Sequence, residues 1–183
     1  MKAAVLSLII LLAASASALA QPLQVVLATT ATALTGSVIK PAPTEFYGLE
    51  VVLQLPVGIT PKLDPLTPGK YFLDPATVVM VDNSMLNTGT LVSSALTPST
   101  DPSVGDTVKF LLVNPYGVKF GTFGSLWFDF KPGFVPNYNA TTQNVSNADI
   151  KVLSYRVLDV SGTEISTDQA AASISKTFVW KQP

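Results

Sequence analysis

The chain has 183 residues, 11 basic against 12 acidic, and contains neither histidine nor cysteine. Without imidazole there is no Ser-His-Asp triad and no histidine general base. Without thiolates there is no cysteine nucleophile, no Cys/His zinc site and no disulfide. What remains is the composition of a module that binds or builds, and no cofactor is expected.

The first segment reads as a secretory signal. Lys2 supplies its positive end, Ala3 to Leu12 its apolar run, and Ala18-Leu19-Ala20 the small-x-small cleavage pattern ahead of Gln21-Pro22. Cleavage is expected between Ala20 and Gln21, leaving residues 21–183 as one domain that is secreted, surface-held or periplasmic. The competing reading, an uncleaved anchor, needs about 20 mostly apolar residues, and the second half of this stretch is Ser/Ala-rich. The basic residues after it are spread singly from Lys40 to Lys181, so affinity for a phosphate backbone is not expected. After cleavage no membrane span is expected. With no disulfide available, stability must come from burial.

Short β-branched and aromatic runs between recurrent prolines and glycines predict an all-β fold. A strand is expected over Leu23–Thr32. The clearest covers Tyr47–Leu55, where Leu49, Val51, Leu53 and Leu55 share one face. Pro56-Val57-Gly58 ends it, and a Pro-punctuated connection follows to residue 75. Further strands are expected at Thr77–Val81, stopped by Asp82-Asn83-Ser84, and at Thr90–Leu96. Val108–Val113 is expected to end at the turn sequence Asn114-Pro115-Tyr116-Gly117. Thr122–Lys131 follows, with Leu126, Phe128 and Phe130 on one face and Trp127, Asp129 and Lys131 on the other. Residues 137–147 read as a polar loop. A long strand over Asp149–Val160, bent near Ser154, turns at Asp159-Val160-Ser161-Gly162, and Ser173–Lys181 closes the sheet. Eight or nine strands in two sheets predict a jelly-roll sandwich.

Three segments resemble the cohesin-like domains of the carbohydrate-binding β-sandwich superfamily, especially the small exported bacterial cohesin-domain proteins. They are Tyr47–Ile59, running into Pro56-Val57-Gly58-Ile59; Asn114-Pro115-Tyr116-Gly117 followed by Gly124-Ser125-Leu126-Trp127-Phe128-Asp129-Phe130; and Ile150–Asp159 followed by Ser161-Gly162-Thr163-Glu164-Ile165. The resemblance covers most of residues 23–181. It implies a nine-stranded jelly roll and a non-catalytic extracellular role in carbohydrate binding, polysaccharide breakdown systems or protein–protein assembly. In cohesins one sheet face docks a dockerin module, and no motif here carries a docking residue across. The connection over 56–75 and the loop over 137–147 are long for a minimal cohesin.

Trp127 is the first candidate ligand-binding residue, because it falls on the outward parity beside Asp129. Burial of both strand faces is the alternative. Tyr116, Phe120 and Phe123 cluster around Gly117, Gly121 and Gly124, as either a recognition loop or packing at the mouth of the sandwich. Tyr138 is a further surface aromatic. Glu50 and Asp129 are the carboxylates a glycosidase would need about 5 to 9.5 Å apart, but solvated sheet charges explain them better. Asp82-Asn83-Ser84 and the Asp101–Asp106 region suit turn chemistry rather than calcium, so no metal is expected. Asn139-Ala140-Thr141 and Asn144-Val145-Ser146 match the glycosylation pattern. The rival to a polysaccharide or protein ligand is a structural subunit of a surface fibre or layer, for which Leu23–Thr32 is the candidate pairing strand.

Overall fold

The computed structural model describes residues 23–80, 89–139, 141–142 and 144–178. The signal segment with Ala20 and Gln21, the Asp82-Asn83-Ser84 stop and the last five residues lie outside them. Within them the chain forms β1 (Leu23–Ala31), β2 (Glu45–Gln54), β3 (Ile59–Pro61), β4 (Val78–Met80), β5 (Leu91–Thr97), β6 (Thr107–Lys119), β7 (Gly121–Phe130), β8 (Tyr138–Asn139), β9 (Asn144–Val145), β10 (Lys151–Leu158) and β11 (Ala170–Phe178).

Period-two burial builds the long strands. Leu23, Val25 and Leu27 of β1, Leu49, Val51 and Leu53 of β2, Val108, Phe110 and Leu112 of β6, and Leu126 and Phe128 of β7 are all buried in one core. Each such side chain contributes roughly 1.5–3 kcal/mol of burial free energy. These faces close two antiparallel sheets against each other. The five-stranded sheet runs β11-β1-β7-β3, with β4 also on β7, and the four-stranded sheet runs β10-β2-β6-β5. The chain crosses between the sheets at most steps, giving the two-sheet jelly-roll sandwich expected, with nine strands in its main sheets. Among the described residues no helix is long and apolar enough to cross a membrane.

Several expectations need correction. Asn114-Pro115-Tyr116-Gly117 does not end its strand. β2 pairs with β6 as Gly48↔Val113 and then Phe46↔Val118, so four residues of β6 loop out opposite Tyr47 and the ladder resumes. The excursion is held from inside: the buried Asn114 donates from Nδ2 to Thr90 Oγ1 at 2.8 Å and accepts the Tyr116 N–H at 2.8 Å. Residues 56–75 are not all connection, because β3 lies within them. The 137–147 segment is more than a polar loop: β8 and β9 pair there, and Val145 and the following Ala148 are buried. Leu23–Thr32 is no free edge, since β1 is paired with β11 on one side and β7 on the other.

Two further bulges decide which side chains face in. Leu27 pairs with Gly124 but Ala28 with Thr122, so Phe123 is the extra residue of β7 and turns into the core, 1% exposed. In β10 the register slips between Val152 and Ser154, the bend expected near Ser154, and leaves Leu153 exposed. The sheet ends are locked by close approach. A Cβ on Gly105 would stand 1.7 Å from the Leu55 carbonyl oxygen, and the Leu55 N–H donates to Asp106 O at 2.8 Å. Lys131 reaches Asp106 at 3.6 Å, tying the end of β7 to the start of β6.

Candidate functional site

The outer face of the five-stranded sheet carries a depression whose shape follows from an interrupted edge strand. β1 occupies one side of β7 along its length. On the other side β3 pairs as far as Pro61↔Phe128, and β4 begins at Val78↔Leu126. No β3 or β4 residue is paired opposite Trp127. Pro61 has no N–H to continue the ladder, so the chain departs at Lys62 and returns at Thr77. Between them it crosses to the edge of the other sheet, where Phe72 bridges Ala95 and the Leu73 N–H donates to Ser94 O at 3.3 Å. The gap therefore has Trp127 and Asp129 on its floor and Lys62, Ala76 and Thr77 on its rim, enclosing an open pocket of about 230 Å³.

The rim is fixed before any ligand arrives. Asp74 caps the 3-10 turn Pro75–Thr77 by accepting the Ala76 N–H at 2.9 Å, with Pro75 opening the turn. Thr77 donates its hydroxyl to Asp74 O at 2.7 Å, and the Asp74 N–H donates to Lys62 O at 2.9 Å. Across the gap Lys62 Nζ stands 3.7 Å from Asp129 Oδ2, an exposed ion pair. Such a pair contributes about 0–1 kcal/mol to stability. Its separation exceeds hydrogen-bond length, which leaves both charged heads with bonding capacity.

Of the sequence-derived candidates, Trp127 and Asp129 come together here. Phe120 does not join them: half-buried where the chain passes from β6 to β7, it packs edge-on against Phe46 at 5.4 Å, and Phe46 meets Phe123 at 6.1 Å. Tyr116 is 73% exposed in the β6 excursion, on the four-stranded sheet. Tyr138, in β8, is half-buried against the core. Glu50 pairs with Lys109 on the four-stranded sheet, whereas Asp129 points outward from the five-stranded one. With sheet backbones about 10 Å apart and both side chains directed away from the core, the two carboxylates exceed glycosidase spacing.

Asp101 and Asp106 serve turns. Asp101 accepts the Ser103 N–H and hydroxyl at 2.8 and 2.7 Å, and Asp106 accepts the Ser99 N–H at 3.0 Å. The Ser103 hydroxyl bond holds the Asp101 carboxyl below its usual pKa, and the Ser161 hydroxyl does the same for Asp159. Among the described residues no group of three or more acidic side chains could hold a metal ion.

The sequence pattern alone does not single out Lys62, Ala76 or Thr77 as site residues. The one local signal was Asp74-Pro75, an N-cap followed by proline, which marks a helical turn but not its place beside Trp127. A second surface lies on the outer face of the four-stranded sheet. Leu91 (60% exposed) is the cross-strand partner of Val113 (39% exposed), Val113 pairs with Gly48, and Leu158 covers Gly48. These residues form an apolar row across all four strands. No protein-family model matches the chain, and comparison with curated proteins finds no significant relative.

Proposed function

We propose that the protein is a non-catalytic extracellular recognition module, similar in role to cohesin-like and carbohydrate-binding sandwiches, and that it engages polysaccharide at Trp127. The observation carrying this reading is the gap in the β3/β4 edge, which leaves an indole on a sheet face beside an ion pair whose heads have spare bonding capacity. An aromatic platform with adjacent polar groups suits a sugar ring, which has an apolar face and a hydroxyl edge. The leader-like residues 1–20 and the sparsely charged, Ser/Thr-rich character of the chain support an exported setting. The test is retention of the protein on a panel of insoluble polysaccharides. Retention that Trp127→Ala abolishes supports the reading, and retention unaffected by that change defeats it.

The apolar row Leu91–Val113–Gly48–Leu158 favours a second reading, a protein partner docked on the four-stranded sheet in the manner of a cohesin. It predicts capture of one extracellular protein that Leu91→Lys abolishes and Trp127→Ala leaves intact. The fibre-subunit alternative is weakened by the central position of β1, and a monomeric mass at high concentration would remove it.

A further inference from the structure

Resting on the reading of Trp127 as a carbohydrate platform, we infer that the pocket takes a single uncharged sugar ring, from a chain end or a soluble oligosaccharide, rather than the flat face of an insoluble polymer. Three observations lead there. First, the volume of about 230 Å³ lies below the roughly 300–1,000 Å³ of sites that enclose drug-sized ligands. Second, a flat polymer surface calls for a row of coplanar aromatics, and this face has none among the described residues. Around Trp127 the outward positions are Gln24, Val26 and Ala28 on β1, Thr60 on β3 and Ser125 on β7. The exposed tyrosines Tyr71 and Tyr116 belong to other parts of the surface, one beside β5 and one in the β6 excursion.

Third, the charge lining the pocket is balanced. Lys62 and Asp129 face each other at 3.7 Å, so the pocket presents a donor and an acceptor with no net charge. A sugar hydroxyl has one donor and two acceptor positions. It can donate to the Asp129 carboxylate and accept from the Lys62 ammonium at once. An anionic sugar would compete with Asp129 for Lys62 and face carboxylate repulsion. The capped turn Pro75–Thr77 walls the opening on the remaining side, so the ring enters with its hydroxyl edge toward the ion pair and its apolar face on the indole.

The experiment uses the Trp180→Phe variant, which leaves Trp127 as the single tryptophan of the chain. Its fluorescence is followed during titration with neutral mono- and oligosaccharides and with uronic acid counterparts, alongside retention on insoluble polysaccharides. The inference predicts a saturable Trp127 signal with a neutral sugar, an apparent Kd raised at least about fivefold by Asp129→Asn or Lys62→Met, and at least about fivefold weaker binding of the uronic acid. Tighter binding of the uronic acid overturns it. Retention on an insoluble polymer through Trp127, with no response to any soluble sugar, overturns the single-ring inference but leaves the proposed function standing. No response and no retention removes both.

Discussion

Phe123 and Trp127 lie four residues apart on the same strand, and the bulge at Phe123 assigns them opposite fates. Phe123 is 1% exposed and packs against Phe46 at 6.1 Å and Phe110 at 6.0 Å. Removing a buried phenylalanine costs about 3–5 kcal/mol through lost transfer energy and the cavity left behind. In a domain of this size each kcal/mol moves Tm by about 2–4 °C. Phe123→Ala is therefore expected to lower Tm by about 6–20 °C. Trp127 faces outward and is only partly covered, so Trp127→Ala is expected to cost about 1 kcal/mol or less and to shift Tm by about 4 °C at most. Thermal denaturation followed by circular dichroism, with both variants beside the parent, measures the contrast. A larger shift for Trp127→Ala than for Phe123→Ala would refute the bulge and the outward placement of the indole together.

Gly105→Ala places a methyl 1.7 Å from the Leu55 carbonyl oxygen, forcing backbone apart where the Leu55 N–H meets Asp106 O, and is expected to cost about 2–4 kcal/mol; a urea midpoint equal to the parent's would contradict the close approach. The Asp159 carboxyl is held below its usual 3.8 first by the Ser161 hydroxyl, so its contribution to stability is complete above that value and is lost as pH falls through the lower native pKa. NMR titration should find its midpoint below 3.8, and Ser161→Ala should raise it while leaving Asp101 unchanged; a parent midpoint above 3.8 would contradict the turn geometry. Leu91→Lys should leave polysaccharide retention unchanged, because Leu91 lies on the other sheet, and loss of retention would move the carbohydrate site away from Trp127.

How much of this was readable in the chain depended on whether alternation ran unbroken. Along β2 and one residue past its end, the series Leu49, Val51, Leu53, Leu55 gives both strand and core face, and all four are buried. The outward parity of Trp127 and Asp129 was equally plain. Bulges were not legible, because an extra residue is defined by the partner strand and leaves no fixed local pattern. That is why Phe123 grouped with Tyr116 and Phe120 in sequence yet lies in the core, and why Asn114-Pro115-Tyr116-Gly117 read as a strand end. Three of the five residues lining the pocket are hidden for a related reason. Lys62 and Thr77 are fifteen residues apart in a proline-punctuated stretch, and they become neighbours of Trp127 only because β3 and β4 share one edge of β7.

The most direct measurement of the central claim is retention of the protein and its Trp127→Ala variant on a polysaccharide panel, with thermal stability checked in parallel. The account predicts that at least one polysaccharide holds the parent and releases the variant while the variant stays folded. Equal retention of the two folded proteins, or no retention of the parent on any member together with no Trp127 response to any soluble sugar, would contradict it.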